Sequence, residues 1–183
     1  DQANGTVARN IISGGNIGIE VFQTSPQIQD ISFQNTNISM TFSGSSPMLR
    51  NITSIFAKQY AMYCTNASPT LVNSSLSSGL TAREVYVGLS SHPVALNSKL
   101  AASKVDVPAA GSTLEIQWYL HINVKDAMDR PLEGADASFD GSGPSRVLNS
   151  GGNASWIPLG EKKIGSTGEL PLTHELTIGS NGQ

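Results

Sequence analysis

The sequence predicts an all-β chain in two parts: a parallel β-helix of about four to five coils over residues 1–107, then a small β-sandwich over residues 108–183. Three observations carry this expectation. Prolines recur through the first half, at Pro26, Pro47, Pro69 and Pro93, with intervals of 21, 22 and 24 residues. Residues at fixed offsets from each proline repeat in kind. Beyond Pro108 the grammar changes to a strict alternation of apolar and polar residues.

The repeating unit opens with Ser25-Pro26, Ser46-Pro47, Ser68-Pro69 and His92-Pro93. Two residues after each proline stand Ile28, Leu49, Leu71 and Ala95, with Ala8 in the first coil. Four residues after it stand Asp30, Asn51, Asn73 and Asn97; counting back one turn, Asn10 takes that place, four after Thr6. The next position holds Ile11, Ile31 and Ile52, then Ser74 and Ser98. A period near 22 residues suits one solenoid coil, in which short strands joined by bends stack about 4.8 Å apart. Leucine-rich repeats have a similar period, but their spaced leucine and asparagine consensus is absent. Strands are predicted at Ile17–Phe22, Ile28–Phe33, Ile38–Phe42 and Glu84–Leu89.

A single coil cannot shelter its apolar face, whereas its neighbours can. The aligned Ile, Leu and Phe residues are therefore expected to form internal columns, each fully buried member contributing roughly 1.5–3 kcal/mol. Asn10, Asp30, Asn51, Asn73 and Asn97 are expected to stack at a bend and hydrogen-bond along a ladder. Proline at the start of a coil removes a donor where no ladder bond is needed.

After Asn97 the repeat runs out through Lys99–Val107, and Pro108-Ala109-Ala110-Gly111 reads as a linker or cap turn. Leu114, Ile116, Trp118, Leu120, Ile122 and Val124 then alternate with Glu115, Gln117, Tyr119, His121, Asn123 and Lys125. This is the period of a long, half-buried strand that spans the junction or bends between two sheets. Val124-Lys125-Asp126, a turn at Ala127–Arg130, and Pro131–Phe139 form a predicted hairpin. Leu170–Ile178 is a predicted later strand, and about five strands follow the linker in all.

The proline-led register resembles the right-handed parallel β-helix repeats of archaeal and bacterial surface proteins, over about residues 5–105. The pattern Val124-x-Asp126, then Pro131-Leu132-x-Gly134-Ala135 and Phe139, resembles the first hairpin of carboxypeptidase-regulatory-like and bacterial Ig-like modules. Here Met128-Asp129-Arg130 stands where those modules usually carry Asn-Gly. Ser166-Thr167-Gly168 resembles their D-x-x-G turn without its Asp, so the calcium-type ligation of that turn does not carry over. The resemblance implies a surface β-solenoid feeding an Ig-like module.

Bulk properties narrow the function classes. Eleven basic residues are scattered and outnumbered by fourteen acidic ones, giving a net charge of −3, which disfavours a nucleic-acid-binding patch. No apolar run approaches the roughly 20 residues that span a bilayer. The lone cysteine, Cys64, follows Ala61-Met62-Tyr63 and reads as a small buried hydrophobe. Sequons at Asn4, Asn37, Asn51, Asn66, Asn73 and Asn153 are candidate N-glycosylation sites, as expected of a secreted glycoprotein.

Reaction chemistry finds little footing. His92, His121 and His174 lie far apart and lack metal-ligand partners, so neither a metal nor a cofactor is expected. Glu20 and Glu84 fall at similar angles of the repeat but about three coils apart, roughly 14 Å, too far for acid–base cooperation. No nucleophile elbow, P-loop or dinucleotide fingerprint occurs. Tyr60, Tyr63 and Tyr86 fall in neighbouring coils, and Trp118, Tyr119 and Trp156 in the second part. They are expected mainly to pack, whereas an exposed tyrosine ladder would favour sugar binding. The expected function is a non-enzymatic extracellular structural or adhesion protein, associating head-to-tail with itself or with neighbouring surface proteins. The competing reading is a carbohydrate-binding or polysaccharide-degrading β-helix, and a third is a β-helical fibre of a viral tail.

Overall fold

The computed structural model describes residues 5–131, 133–134, 136–139, 146–147, 153–170 and 176–179. Among the described residues the chain is all-β apart from one 3₁₀ turn at Ala102–Lys104. It divides into two compact units, one of residues 1–117 with 160–171, the other of residues 118–159 with 172–183.

The first unit is a parallel β-solenoid of about five turns. Each coil has three sides. The first side is built by the leading halves of β1 (Thr6–Ser13) and β3 (Gln27–Gln34), then by β5 (Met48–Arg50), β8 (Thr70–Val72), β11 (Val94–Leu96) and the start of β13 (Thr113–Asn123). The second side is built by the trailing halves of β1 and β3, then by β6 (Thr53–Ala57) and β9 (Ser75–Ser78). The third is built by β2 (Ile17–Phe22), β4 (Ile38–Ser43), β7 (Tyr60–Thr65), β10 (Arg83–Val87) and β12 (Val105–Asp106).

The corners explain the abundance of Asn and Gly. At the first corner Arg9, Asp30, Asn51, Asn73 and Asn97 all take left-handed backbone, with φ between 47° and 57°. At another, Gln23, Gly44, Asn66, Ser90 and Gly111 do the same, and at the third Gly14, Asn35 and Phe56. Left-handed backbone disfavours most L-residues, and Asn, Asp and Gly tolerate it best. The first-coil place in the first column belongs to Arg9, since Ala8 pairs with Gln29 and Asn10 with Ile31. Asn10 lies one residue past it and turns its amide to the Ala8 carbonyl.

The interior follows from the register. Val7, Ile28, Leu49, Leu71, Ala95 and Ile116 form one inward column. Ile19, Met40, Met62, Val85 and Val105 form a second, and Val21, Phe42, Cys64 and Val87 a third. Phe33 adds a large ring beneath Ile12. Gly18 has no side chain because Phe33 and the Ser39 carbonyl occupy the space a Cβ would need. Buried serines serve the bends, where a backbone N–H leaves the ladder. Ser74 Oγ accepts from Ile52 N, Ser98 Oγ from Ser74 N, Ser91 Oγ from Ala67 N and Ser112 Oγ from Ser91 N. Proline carbonyls meanwhile accept from the next coil, as Pro47 does from Thr70, Pro69 from Val94 and Pro93 from Glu115.

The solenoid ends where the corner is not made. The place after Gln117 falls to Trp118, and β13 runs on through it to Asn123 without a left-handed residue. Beyond β13 in the same sheet come β16 (Asn153–Gly165) and its antiparallel neighbour β17 (Gly168–Leu170). In the second unit β14 (Asp136–Phe139) pairs antiparallel with β15 (Arg146–Val147) and β18 (Leu176–Gly179). The predicted hairpin turn there is closed by Asp126. Its carboxylate accepts from the N–H of Met128 and of Arg130, and pairs with the Arg130 guanidinium at 2.7 Å. Those bonds from Arg130 hold the carboxyl below the usual range. Of the predicted strand Leu170–Ile178, Leu170 closes β17 and Leu176–Ile178 lie in β18, while 171–175 are outside the described residues.

Candidate functional site

The third side of the solenoid carries the richest outward chemistry. Its central outer column runs Glu20, Thr41, Tyr63, Tyr86 and Asp106, one residue per coil. A neighbouring column runs Ile17, Ile38, Tyr60 and Arg83. Strand stacking brings Tyr63 and Tyr86 face to face, with centroids 4.3 Å apart and planes 3° from parallel. Tyr60 meets both edge-on at 5.5 Å. Tyr86 leans over Gly88, where a Cβ would lie 2.7 Å from its ring. All three rings are half-buried.

Partial burial raises the Tyr60 phenol, and the nearby Asp106 and Tyr86 push it further, against the opposing charge of Arg83. Burial also raises the Tyr63 phenol, aided by Tyr86. The cluster is therefore a neutral aromatic surface at ordinary pH, bordered by one cation and one anion. It can donate and accept hydrogen bonds and stack at its margins. The tyrosine faces are partly spent on one another, and a 5.5 Å ring separation leaves no space for a cation held between them.

Asp106 also lines a cleft of about 530 Å³, with Val105, Val107, Ile164, Ser166 and Gly168 among its walls. Among the described residues it is the one ionisable group lining that cleft.

Glu84 does not join Glu20. Its carboxylate is buried and accepts a short hydrogen bond from the Ala101 N–H. Lys104 reaches the Ser78 and Gly79 carbonyls beside it, at 3.3 and 3.1 Å. Burial raises the Glu84 pKa, opposed by the Ala101 bond and the Lys104 charge. This arrangement ties the 3₁₀ turn to β10, which is a structural task. Cys64 is fully buried and its thiol is pushed well up by desolvation.

The corner asparagines divide into pairs. Asn51 donates to Asp30 at 2.9 Å and Asn97 to Asn73 at 2.7 Å. A second ladder, which sequence reasoning missed, runs along Asn16, Asn37 and Gln59, Asn37 donating to both neighbours. Its signal was a 21- and 22-residue spacing that no proline flags.

The sequons differ in what their amides already do. Asn37 and Asn51 spend Nδ2 on ladder bonds, and Ser39 of the Asn37 sequon is buried. Asn66 and Asn73 are exposed at corners. Asn153 opens β16, and Asn4 lies outside the described residues.

His92 Nδ1 lies 3.1 Å from the Thr113 hydroxyl, His121 is in β13, and His174 lies outside the described residues. Among the described residues no group of three metal-ligating side chains occurs, and no helix is long and apolar enough to cross a membrane. No family model, curated protein or solved structure matches the chain.

Proposed function

We propose that the chain is a non-enzymatic structural or adhesion module of the cell exterior: a stiff β-solenoid scaffold followed by a small Ig-like or carboxypeptidase-regulatory-like β-module. The observation that carries this reading is the unbroken inner column from Val7 in β1 to Ile116 in β13. Rigidity rises with such continuity, because every coil depends on its neighbours. The polar composition and the exposed corner sequons at Asn66 and Asn73 support an extracellular, glycosylated setting. Partners are further copies, neighbouring surface proteins and glycans.

The test is mechanical and chemical together. The reading expects one cooperative unfolding transition of the solenoid, resistance to proteolysis until that transition, and no turnover of a polysaccharide panel. Hydrolysis or lyase activity lost on replacing Glu20 or Asp106 would refute it.

The tyrosine surface favours a second reading, carbohydrate binding. A glycan array probed with the chain, and again with Tyr60→Ala, distinguishes the two: ring-dependent retention of a glycan supports the second.

A further inference from the structure

Charge is unevenly shared along the chain. Residues 31–105 hold five cations, Arg50, Lys58, Arg83, Lys99 and Lys104, and one carboxylate, Glu84. Glu84 is 5% exposed and its carboxylate is bonded to the Ala101 N–H. Arg50, Lys58, Arg83 and Lys99 are exposed. The exposed charges of the middle coils are thus all positive, in a chain whose net charge is −3.

One of these cations borders the tyrosine cluster, and a second stands nearby. Arg83 pairs in register with Tyr60 on the adjacent rung and shares β10 with Tyr86. Lys58 lies two residues before Tyr60. Backbone bonds fix both positions: the Lys58 N–H donates to the Thr36 carbonyl and the Arg83 N–H to that of Gln59. Among the described residues neither side chain is paired with a carboxylate. Adjacent rungs lie about 4.8 Å apart, so the guanidinium of Arg83 starts within reach of whatever rests on the Tyr60 ring.

An exposed guanidinium without a carboxylate partner is matched by a planar or tetrahedral oxyanion, which its fork of N–H donors can hold with two bonds. The tyrosines beside it supply ring surface for the apolar face of a sugar, and phenol groups that bond to its hydroxyls. Asp106 stands one rung beyond Tyr86. A negative group is therefore attracted at the Arg83 side and repelled at the Asp106 side, which gives the ligand a direction. We infer that this surface binds an acidic glycan, with its carboxylate or sulfate on Arg83 and Lys58 and a sugar ring against Tyr60. This deepens the carbohydrate-binding reading and rests on it.

Calorimetric titration of the 183-residue chain with a tetramer of glucuronic acid, and with the matching tetramer of glucose, tests the inference. The two ligands differ only in the carboxylate on each ring. The acidic tetramer should bind about tenfold tighter or more at low salt, the worth of one hydrogen bond to a charged group. That preference should shrink as salt rises toward about 1 M and screens the charges. Arg83→Gln keeps the backbone bond to Gln59, and should remove most of the preference while leaving the glucose tetramer's affinity unchanged. Lys58→Gln should act in the same direction and less strongly, whereas Tyr60→Ala should weaken both tetramers. Equal affinity for the two tetramers, both lost in Tyr60→Ala, overturns the inference and leaves carbohydrate binding standing. Binding of neither overturns both. A preference for the acid that survives Arg83→Gln and Lys58→Gln overturns it as well, as does retention on phosphatidylserine vesicles by a chain that binds no tetramer.

Discussion

Leu49→Ala strikes the middle of an inward column, and its cost can be worked from the structure. Leu49 is 0% exposed and lies between Ile28 and Leu71, themselves fully buried, on the first side of the coil. Backbone ladders above and below hold its neighbours, so the space left by three lost carbons cannot collapse freely. Leucine truncation in such a site costs about 3–4 kcal/mol, transfer and cavity contributions together. For a unit of this size that lowers Tm by roughly 6–16 °C. The matched control is Val7→Ala, in the same column but 40% exposed at its open end, where the cost should fall to about 1 kcal/mol or less. Both are read from urea and thermal unfolding followed by circular dichroism. Equal costs at the two positions, or a Leu49→Ala change that melts one coil and leaves the others intact, would refute stacking as the source of stability.

Further outcomes follow from single contacts. Asn51→Ala should lose about 1–3 kcal/mol, combining the bond to Asp30 with the strain of a left-handed alanine, while Asn51→Gly should lose only the bond, about 0.5–1.5 kcal/mol; chemical denaturation ranks the three. Glu84 has a raised pKa in the folded chain, so the native state takes up a proton at higher pH than the unfolded state does. Stability should therefore increase as pH falls from neutrality toward the ordinary glutamate range, and Glu84→Gln should remove that slope in melts taken across pH. Cys64 should resist a thiol reagent in the native chain and react on unfolding, as followed by mass. Gly18→Ala forces a Cβ to within 2.6 Å of the Ser39 carbonyl and should cost about 1–3 kcal/mol, measured by the same unfolding curves.

How legible the fold was depended on which residues punctuate it. Prolines fixed the frame of four coils, and β2 at Ile17–Phe22 lies where its β-branched run placed it. Where no proline stands, the frame slips. The first coil carries Gly5 at the proline position, 21 residues before Pro26, so counting from Thr6 set Asn10 in a corner that Arg9 occupies. Thr53–Ala57 and Ser75–Ser78 escaped notice as strands because the buried serines Ser54 and Ser78 share the inward places with Ala57 and Leu76, which hides the apolar pattern. The alternation beginning at Leu114 was plain, but not that residues 113–117 form one more rung beside β11; that depends on pairing, which alternation does not encode. The tyrosines were visible as neighbours in the repeat. Their mutual stacking was not, because it depends on the strand register that sets Tyr86 directly beside Tyr63.

The account turns on coils laid in register, and one distance tests that most directly. Spin labels on Arg9→Cys and Asn97→Cys occupy exposed corners at the two ends of one column, with Cys64 buried and silent. Four coil spacings separate them, so pulsed electron resonance at dilute concentration should give a narrow distribution about 19 Å apart, lengthened only by the label tethers. A broad distribution, or one centred far beyond that span, would contradict the stacked solenoid.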